Sequence, residues 1–231
     1  MGVCKSSPEI EQQHLQAFGP ELGPVYHALY NEVLWLHSKW LEYRKLYAGS
    51  AKRVELLNTA APFFFYVVQD VLWDDVLLHI ARLTDPAKQG SFENLTLLRL
   101  CEAVPDPQLA EETRKLVKAA KSRASFARRW RNKQLAHRDL VNSLEPRAKA
   151  LPSASRQDVE DVLQGFREIM NGLHRAYLHS EVAFRHVCVG PGDADGLVYN
   201  LAEALQVEER RQRRAREGRS LPEDFEQPAV P

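Results

Sequence analysis

An all-α helical bundle is the fold class that the sequence predicts, on three observations. Apolar residues recur at alternating steps of four and three along several long segments, as one buried helical stripe requires. No stretch alternates apolar and polar residues as a half-buried strand would, and no Gly-rich phosphate loop occurs. The breaks are sharp, at Gly49-Ser50, Pro105-Asp106-Pro107 and Val189-Gly190-Pro191-Gly192. With 231 residues, 44% of them apolar, the chain can bury a sizeable core in one main domain. That domain is expected over 21–190, between a flexible N-terminal arm at 1–20 and a C-terminal helix with a disordered tail at 191–231.

The arm mixes polar residues with Gly19 and Pro20. The first long helix starts near Pro24, and Val25, Leu29, Val33, Leu36, Trp40, Tyr43 and Tyr47 form its stripe. A second element spans about Ala51 to Leu83, with Val54, Leu57, Ala61, Phe64, Val68, Val71 and Leu78 on one face and Asp75 on the same face. Pro62 marks a kink or a helix start within it, because its ring removes a donor and clashes with the preceding turn. A carboxylate on an apolar stripe needs a partner, and His79 or Arg82 lies at helical spacing from Asp75. After a loop over Lys88 to Phe92 comes a short Leu-rich helix, Asn94 to Val104. A basic helix is expected from about Gln108 to Leu140, with Leu116, Ala119, Phe126 and Trp130 as its apolar face. Asp158 can cap a further helix with the stripe Val159, Val162, Phe166, Ile169, Leu173 and Tyr177. The last helix, from about Asp195 to Glu217, is amphipathic only as far as Val207. Trp40, Phe64, Val68, Phe166 and Leu173 are expected to be buried.

Charge and cysteine content exclude several classes of function. Lys+Arg and Asp+Glu both total 31, so the chain as a whole is no unspecific polycation. Cys4, Cys101 and Cys188 are too scattered for a disulfide framework or a zinc-binding pair, which points to a reducing cytoplasmic setting. No stretch approaches the ~20 apolar residues of a membrane span. No histidine spacing suggests a metal site, and no cofactor is expected.

The charge is concentrated locally. Between Arg114 and Lys149 stand twelve Lys or Arg against only Asp139 and Glu145. On a helical wheel Arg114, Lys118, Lys121, Arg128 and Asn132 share one stripe, with Arg131 near it, so a row of cations leads into Arg131-Asn132-Lys133-Gln134-Leu135-Ala136-His137-Arg138-Asp139. A charge run of this kind is also what a solvated helix face looks like. His137 continues the line of Trp130, where a core histidine would equally fit. Arg131 and His137 are ~240° apart on an ideal helix, so they converge only in a groove between helices or subunits.

The arginine followed by a polar residue and then, after five intervening residues, by a histidine resembles the Arg-x4-6-His motif of the HEPN superfamily, helical ribonucleases and their inactive relatives. The segments Trp73-Asp74-Asp75, Ala81 to Pro86 and Asn94-Leu95-Thr96-Leu97 are similar to the AbiU2-type HEPN domains associated with phage defence. The resemblance runs from roughly Val25 to Val207. It implies a HEPN-like bundle of long antiparallel helices, a homodimer that brings two motifs together, and metal-independent RNA cleavage. In that reading Arg131 holds the phosphate, His137 serves as acid or base, and Asn132 orients His137 or donates to the phosphate. Lys118, Lys121, Arg128 and Arg138 would bind RNA, and an antitoxin or regulatory protein is a possible partner. The other readings are a non-catalytic RNA-binding scaffold and a helical module whose basic surfaces bind an acidic protein.

Overall fold

The computed structural model describes residues 6–132, 154–186 and 192–225. Eight α-helices make up most of the described chain: α1 Ser7–Tyr47, α2 Ala51–Ala60, α3 Pro62–Leu83, α4 Leu98–Ala103, α5 Pro107–Arg123, α6 Ser125–Trp130, α7 Arg156–Leu178 and α8 Ala194–Arg216. A two-residue antiparallel ladder, Lys88–Gln89 with Phe92–Glu93, closes the loop after α3. The fold is therefore all-α, as the periodicity predicts. Among the described residues no helix is long and apolar enough to cross a membrane.

Two compact units divide the chain, one comprising 1–41 and 71–187 and the other 42–70 and 188–231. In the first unit α1 begins earlier than Pro24. Its backbone is broken at Gly19, whose φ of 79° lies in the left-handed region that glycine occupies without steric cost. The helical segment before Gly19 folds back on the one after it. A Cβ on Gly23 would lie 3.0 Å from the Leu15 Cα, and Phe18 stacks on Tyr26 with ring centroids 3.9 Å apart. His14 and Phe18 are buried, so residues 7–18 pack as helix where an arm was expected.

Leu29, Val33, Leu36 and Trp40 of α1 and Val159, Val162, Phe166, Ile169 and Leu173 of α7 are all buried in the core. Polar bonds join the two helices. The Trp40 Nε1 donates to the Glu160 Oε1 at 2.8 Å, and the Tyr26 hydroxyl lies 3.0 Å from the His174 Nδ1. The start of α7 carries a capping box in which the Ser155 hydroxyl accepts from the Asp158 N–H while the Asp158 carboxylate accepts from the Ser155 N–H. Ser155, not Asp158, is therefore the cap. Packing against α7, α5 comes close at Gly165, where a Cβ would lie 3.3 Å from the Ala120 Cβ.

The second element divides at Ala61, whose φ of −160° and ψ of 77° end α2, and Pro62 opens α3. That break resets the helical phase, so a stripe extrapolated across it points the wrong way. Phe64, expected in the core, is 60% exposed, and Val71 is exposed as well, whereas Phe65 is buried. Trp40, Phe166 and Leu173 are buried as expected, and Val68 is half-buried. Asp75 pairs with Lys39, while His79 and Arg82 both turn to Glu32. Helical spacing thus named the wrong partners, because the nearest cation comes from α1.

In the second unit α2 packs on α8. Asp193 caps α8 by accepting from the Gly196 N–H at 3.0 Å and also holds Lys45, while Arg53 reaches Asp195 at 2.7 Å. Beyond α8 a short 3-10 turn, Pro222–Phe225, is held by paired bonds between the Arg214 guanidinium and Asp224. This turn falls at the start of the segment for which a disordered tail is expected.

Candidate functional site

Among the described residues the expected basic helix is two helices. At Ala124 the backbone leaves helical geometry with ψ of 4°, ending α5 and starting α6. Its buried face is Ala110, Thr113, Val117 and Ala120, continued by Ala124, Phe126 and Ala127. Leu116 and Ala119 are exposed, and Trp130 is half-buried. The expected apolar line was therefore one residue out of phase along α5.

Beside that face Arg114, Lys118 and Lys121 come together, as expected of a row at this spacing. With Leu83, Thr84, Asp85, Leu98 and Val117 they line a pocket of about 240 Å³ at the ends of α3, α4 and α5. Arg114 pairs with Glu111 at 2.9 Å, and both are half-exposed.

Arg128 does not join that row. Its guanidinium turns inward, Nη2 donating to the Lys121 carbonyl at 3.0 Å and Nη1 reaching the Thr84 carbonyl at 3.4 Å. Those oxygens belong to the last turn of α5 and the end of α3, where helical carbonyls lack intrahelical partners. Its placement is that of a staple between two helix ends.

Arg131 and Asn132 lie in a π-helical turn that follows α6, a local geometry frequent at functional sites. The Arg131 Nη1 donates to the Asp85 carboxylate, and its Nε donates to the Asn132 Oδ1 at 3.0 Å. Arg131 and Asp85 are 23% and 15% exposed, so the pair is sheltered without being sealed. A guanidinium has five N–H donors. The three that remain on Arg131 have no partner among the described residues, and Asn132 keeps its amide NH2 as a donor.

Asp85 is itself held in place. It lies in a short turn after α3 whose neighbouring carbonyls are each engaged: Pro86 by the Asn94 Nδ2 at 3.0 Å, Ala87 by the Arg99 Nη2 at 2.7 Å, and Leu83 by the Leu97 N–H at 3.0 Å. The sequence places Asp85 in an element-ending Thr-Asp-Pro turn and gives no sign that it anchors Arg131, 46 residues later. The signal available was a carboxylate next to Pro86 at the end of a helix rich in core residues.

His137 and Arg138 lie outside the described residues. Arg131, Asn132, Lys118 and Lys121 are thus placed around one end of the first unit, with Asp85 shared between the arginine and the pocket.

Elsewhere in this unit two histidines are held neutral. Burial pushes His37 down to about 4, against a bond to the Val33 carbonyl that favours its charged form, with Arg167 and Arg185 opposing protonation and Glu160 favouring it. Its Nδ1 donates to the Val33 carbonyl at 2.8 Å, so the Nε2 accepts from the Arg167 Nη1 at 3.1 Å. His79 is also pushed down to about 4, by burial first and then by Lys39.

The family model for AbiU2, of HEPN type, matches residues 19–195. No curated protein and no solved structure matches the chain.

Proposed function

The chain belongs to the AbiU2 family of HEPN domains, and from that premise we propose that it is a metal-independent endoribonuclease acting in phage defence or as a toxin. The observation that carries the reading is the setting of Arg131. It is oriented by Asp85 and Asn132, keeps three donors that have no partner among the described residues, and shares Asp85 with the pocket lined by Arg114, Lys118 and Lys121. An arginine fixed through part of its fork and open through the rest suits a phosphate better than a mobile lysine would.

In the proposed reaction a base removes the proton of a ribose 2′-hydroxyl, and that oxygen attacks the adjacent phosphorus. The bond to the 5′-oxygen breaks, and an acid protonates the leaving oxygen. The products carry a 2′,3′-cyclic phosphate and a 5′-hydroxyl. Charge builds on the non-bridging oxygens, where Arg131 and the Asn132 amide donate. His137 supplies the base or the acid, since its ordinary titration lies near neutral pH. One imidazole cannot do both in a single step, so two copies of the motif facing one cleft of a homodimer fill both roles. Lys118 and Lys121 bind flanking phosphates, and an antitoxin or other regulatory protein would cover the same surface.

A second reading has a specific observation behind it. The ion pair of Arg131 with Asp85 ties the turn after α3 to the turn after α6, a structural task that alone would account for the arginine, as expected of a non-catalytic RNA-binding or protein-interaction scaffold. Incubation of the purified protein with RNA in EDTA, beside Arg131→Ala and His137→Ala, separates the two. Cleavage ending in cyclic phosphate and lost in both variants supports the nuclease; RNA bound but never cut supports the scaffold.

A further inference from the structure

The first two turns of α3 leave an apolar face uncovered in the second unit. Phe65 is buried, and its carbonyl accepts from the Tyr47 hydroxyl at 2.8 Å. Helical periodicity then puts Phe63, Phe64, Tyr66 and Val67 on the side away from Phe65. Among the described residues they are 78%, 60%, 66% and 41% exposed. No charged residue stands between Glu55 and Asp70. Solvated helix faces carry charge, and a contiguous apolar face in water marks an interaction site.

We propose that this face docks on the same face of a second copy of the chain. Charge favours that occupant, because a charged partner finds nothing here to pair with, whereas two copies meet without like charges at the centre of the contact. Area agrees. Aromatic side chains bury about 150–250 Å² each, so the exposed parts of these three rings offer roughly 300–500 Å² per copy. With apolar atoms making up about 65% of a homodimer interface, two such faces account for roughly 900–1,600 Å² in total. That range reaches the ~1,000 Å² of a biological contact and implies a Kd in the micromolar range. Asp70, about one turn beyond Val67, is the first charge on this side. In an antiparallel crossing centred on Phe64 and Val67, the Asp70 of each copy lies by the start of the other copy's α3. That start is the positive end of a helix, and it follows Ala61, which has no capping side chain.

About 30 Å of helix separates Phe64 from Leu83, at the end of α3 that leads to Asp85. The contact is therefore distinct from the cleft proposed for two copies of the motif, and it does not depend on RNA cleavage. A chain with two isologous contacts assembles beyond the dimer.

Sedimentation velocity of the full chain at micromolar concentration, beside Phe64→Glu, tests the contact. The unaltered protein should show about twice the mass of Phe64→Glu or more, with the fold of the variant checked by its urea midpoint. Equal masses overturn the α3 contact and leave the motif cleft as it was. Where the masses differ, a variant that is still dimeric retains the cleft, whereas a monomeric variant shows that α3 alone made the dimer and removes the cleft. An equimolar mixture of Phe64→Glu and Phe64→Lys should regain the mass that each lacks alone, since opposite charges then meet across the two-fold axis. A mixture that stays at the mass of the variants overturns self-docking. Vesicles of phosphatidylglycerol and phosphatidylethanolamine add a further arm: binding that Phe64→Glu abolishes at unchanged mass would give the face to a lipid surface and overturn the second copy. Should Phe64→Glu fail to fold, the Val67 methyl resonances of the unaltered protein should shift on dilution through the micromolar range, and resonances that stay put overturn the contact.

Discussion

The guanidinium of Arg128 donates to the carbonyl oxygen of Lys121 at 3.0 Å, so one cation of the basic segment closes the helix end from which another projects. Arg128→Ala should therefore act on stability. Bonds from a charged donor contribute roughly 1.5–3 kcal/mol when fully formed, and the longer contact to Thr84 adds little, so a loss of about 1–2 kcal/mol is expected in urea unfolding. The salt dependence of RNA binding should barely change. Lys118→Ala and Lys121→Ala should do the reverse, each lowering the log-log slope for single-stranded RNA by roughly 0.7 with unchanged stability. A slope change in Arg128→Ala as large as theirs would return it to the phosphate-binding row.

Asp85 should count as a positioning residue for Arg131. Asp85→Ala is expected to slow RNA cleavage by roughly ten- to a hundredfold, the scale of a displaced catalytic geometry. Added to Arg131→Ala it should cost nothing further, because the group it orients is already gone. Additive losses in the double variant would show that Asp85 works independently.

What the sequence could and could not reveal follows from helical phase. Where one helix runs unbroken, as from Pro24 to Tyr47 or along α7, the three-four stripe names the buried residues, including Trp40, Phe166 and Leu173. Where a single residue breaks the helix, the phase is lost beyond it: Ala61 turns Phe64 outward, and Ala124 ends the row of cations before Arg128. Spacing and resemblance single out Arg131 only as a candidate. Its partner Asp85 is not singled out at all, since tertiary pairing of residues far apart leaves no mark in a periodic pattern, and Lys39 was missed as the partner of Asp75 for the same reason.

Gly165 governs how closely α5 approaches α7. Gly165→Val should place branched methyls against Ala120 and the Arg123 side chain, both within about 3.5 Å of a Cβ at that position. Overpacking of this kind costs about 1–3 kcal/mol. The loss should be visible as an earlier urea midpoint, with Gly165→Ala much milder because only the Ala120 contact at 3.3 Å is tight. Equal midpoints for Gly165→Val and the parent would mean that α5 and α7 can move apart there at no cost.

Acid should weaken the first unit through His37. The group ordinarily titrates near 6.5 and in the fold only at about 4, so the unfolded chain binds the proton first. Stability is therefore highest above about pH 6.5, falls as pH drops towards about 4, and levels off below. At about 1.4 kcal/mol per pH unit the full loss from this histidine is roughly 3 kcal/mol. His79 titrates in the same window, so His37→Gln should roughly halve the slope between pH 6.5 and 4 and leave the rest to His79; an unchanged slope would place its origin in other groups.

The proposed requirement for two histidines in one cleft has a quantitative test by subunit mixing. In mixtures of unaltered and His137→Ala chains, refolded together so that subunits exchange, a cleft needing an imidazole from each copy works only in the wholly unaltered dimer. Activity should then fall as the square of the unaltered fraction, to about a quarter in an equal mixture. If each subunit acted alone, the same mixture would retain about half. Arg131→Ala chains mixed with His137→Ala chains add a second arm. No mixed dimer carries both histidines, so recombining the two variants should restore no activity, whereas restoration would mean that one arginine and one histidine from different copies suffice. A linear fall in the first mixture, at concentrations where sedimentation shows dimer, would overturn the shared cleft and leave His137 as either acid or base but not both.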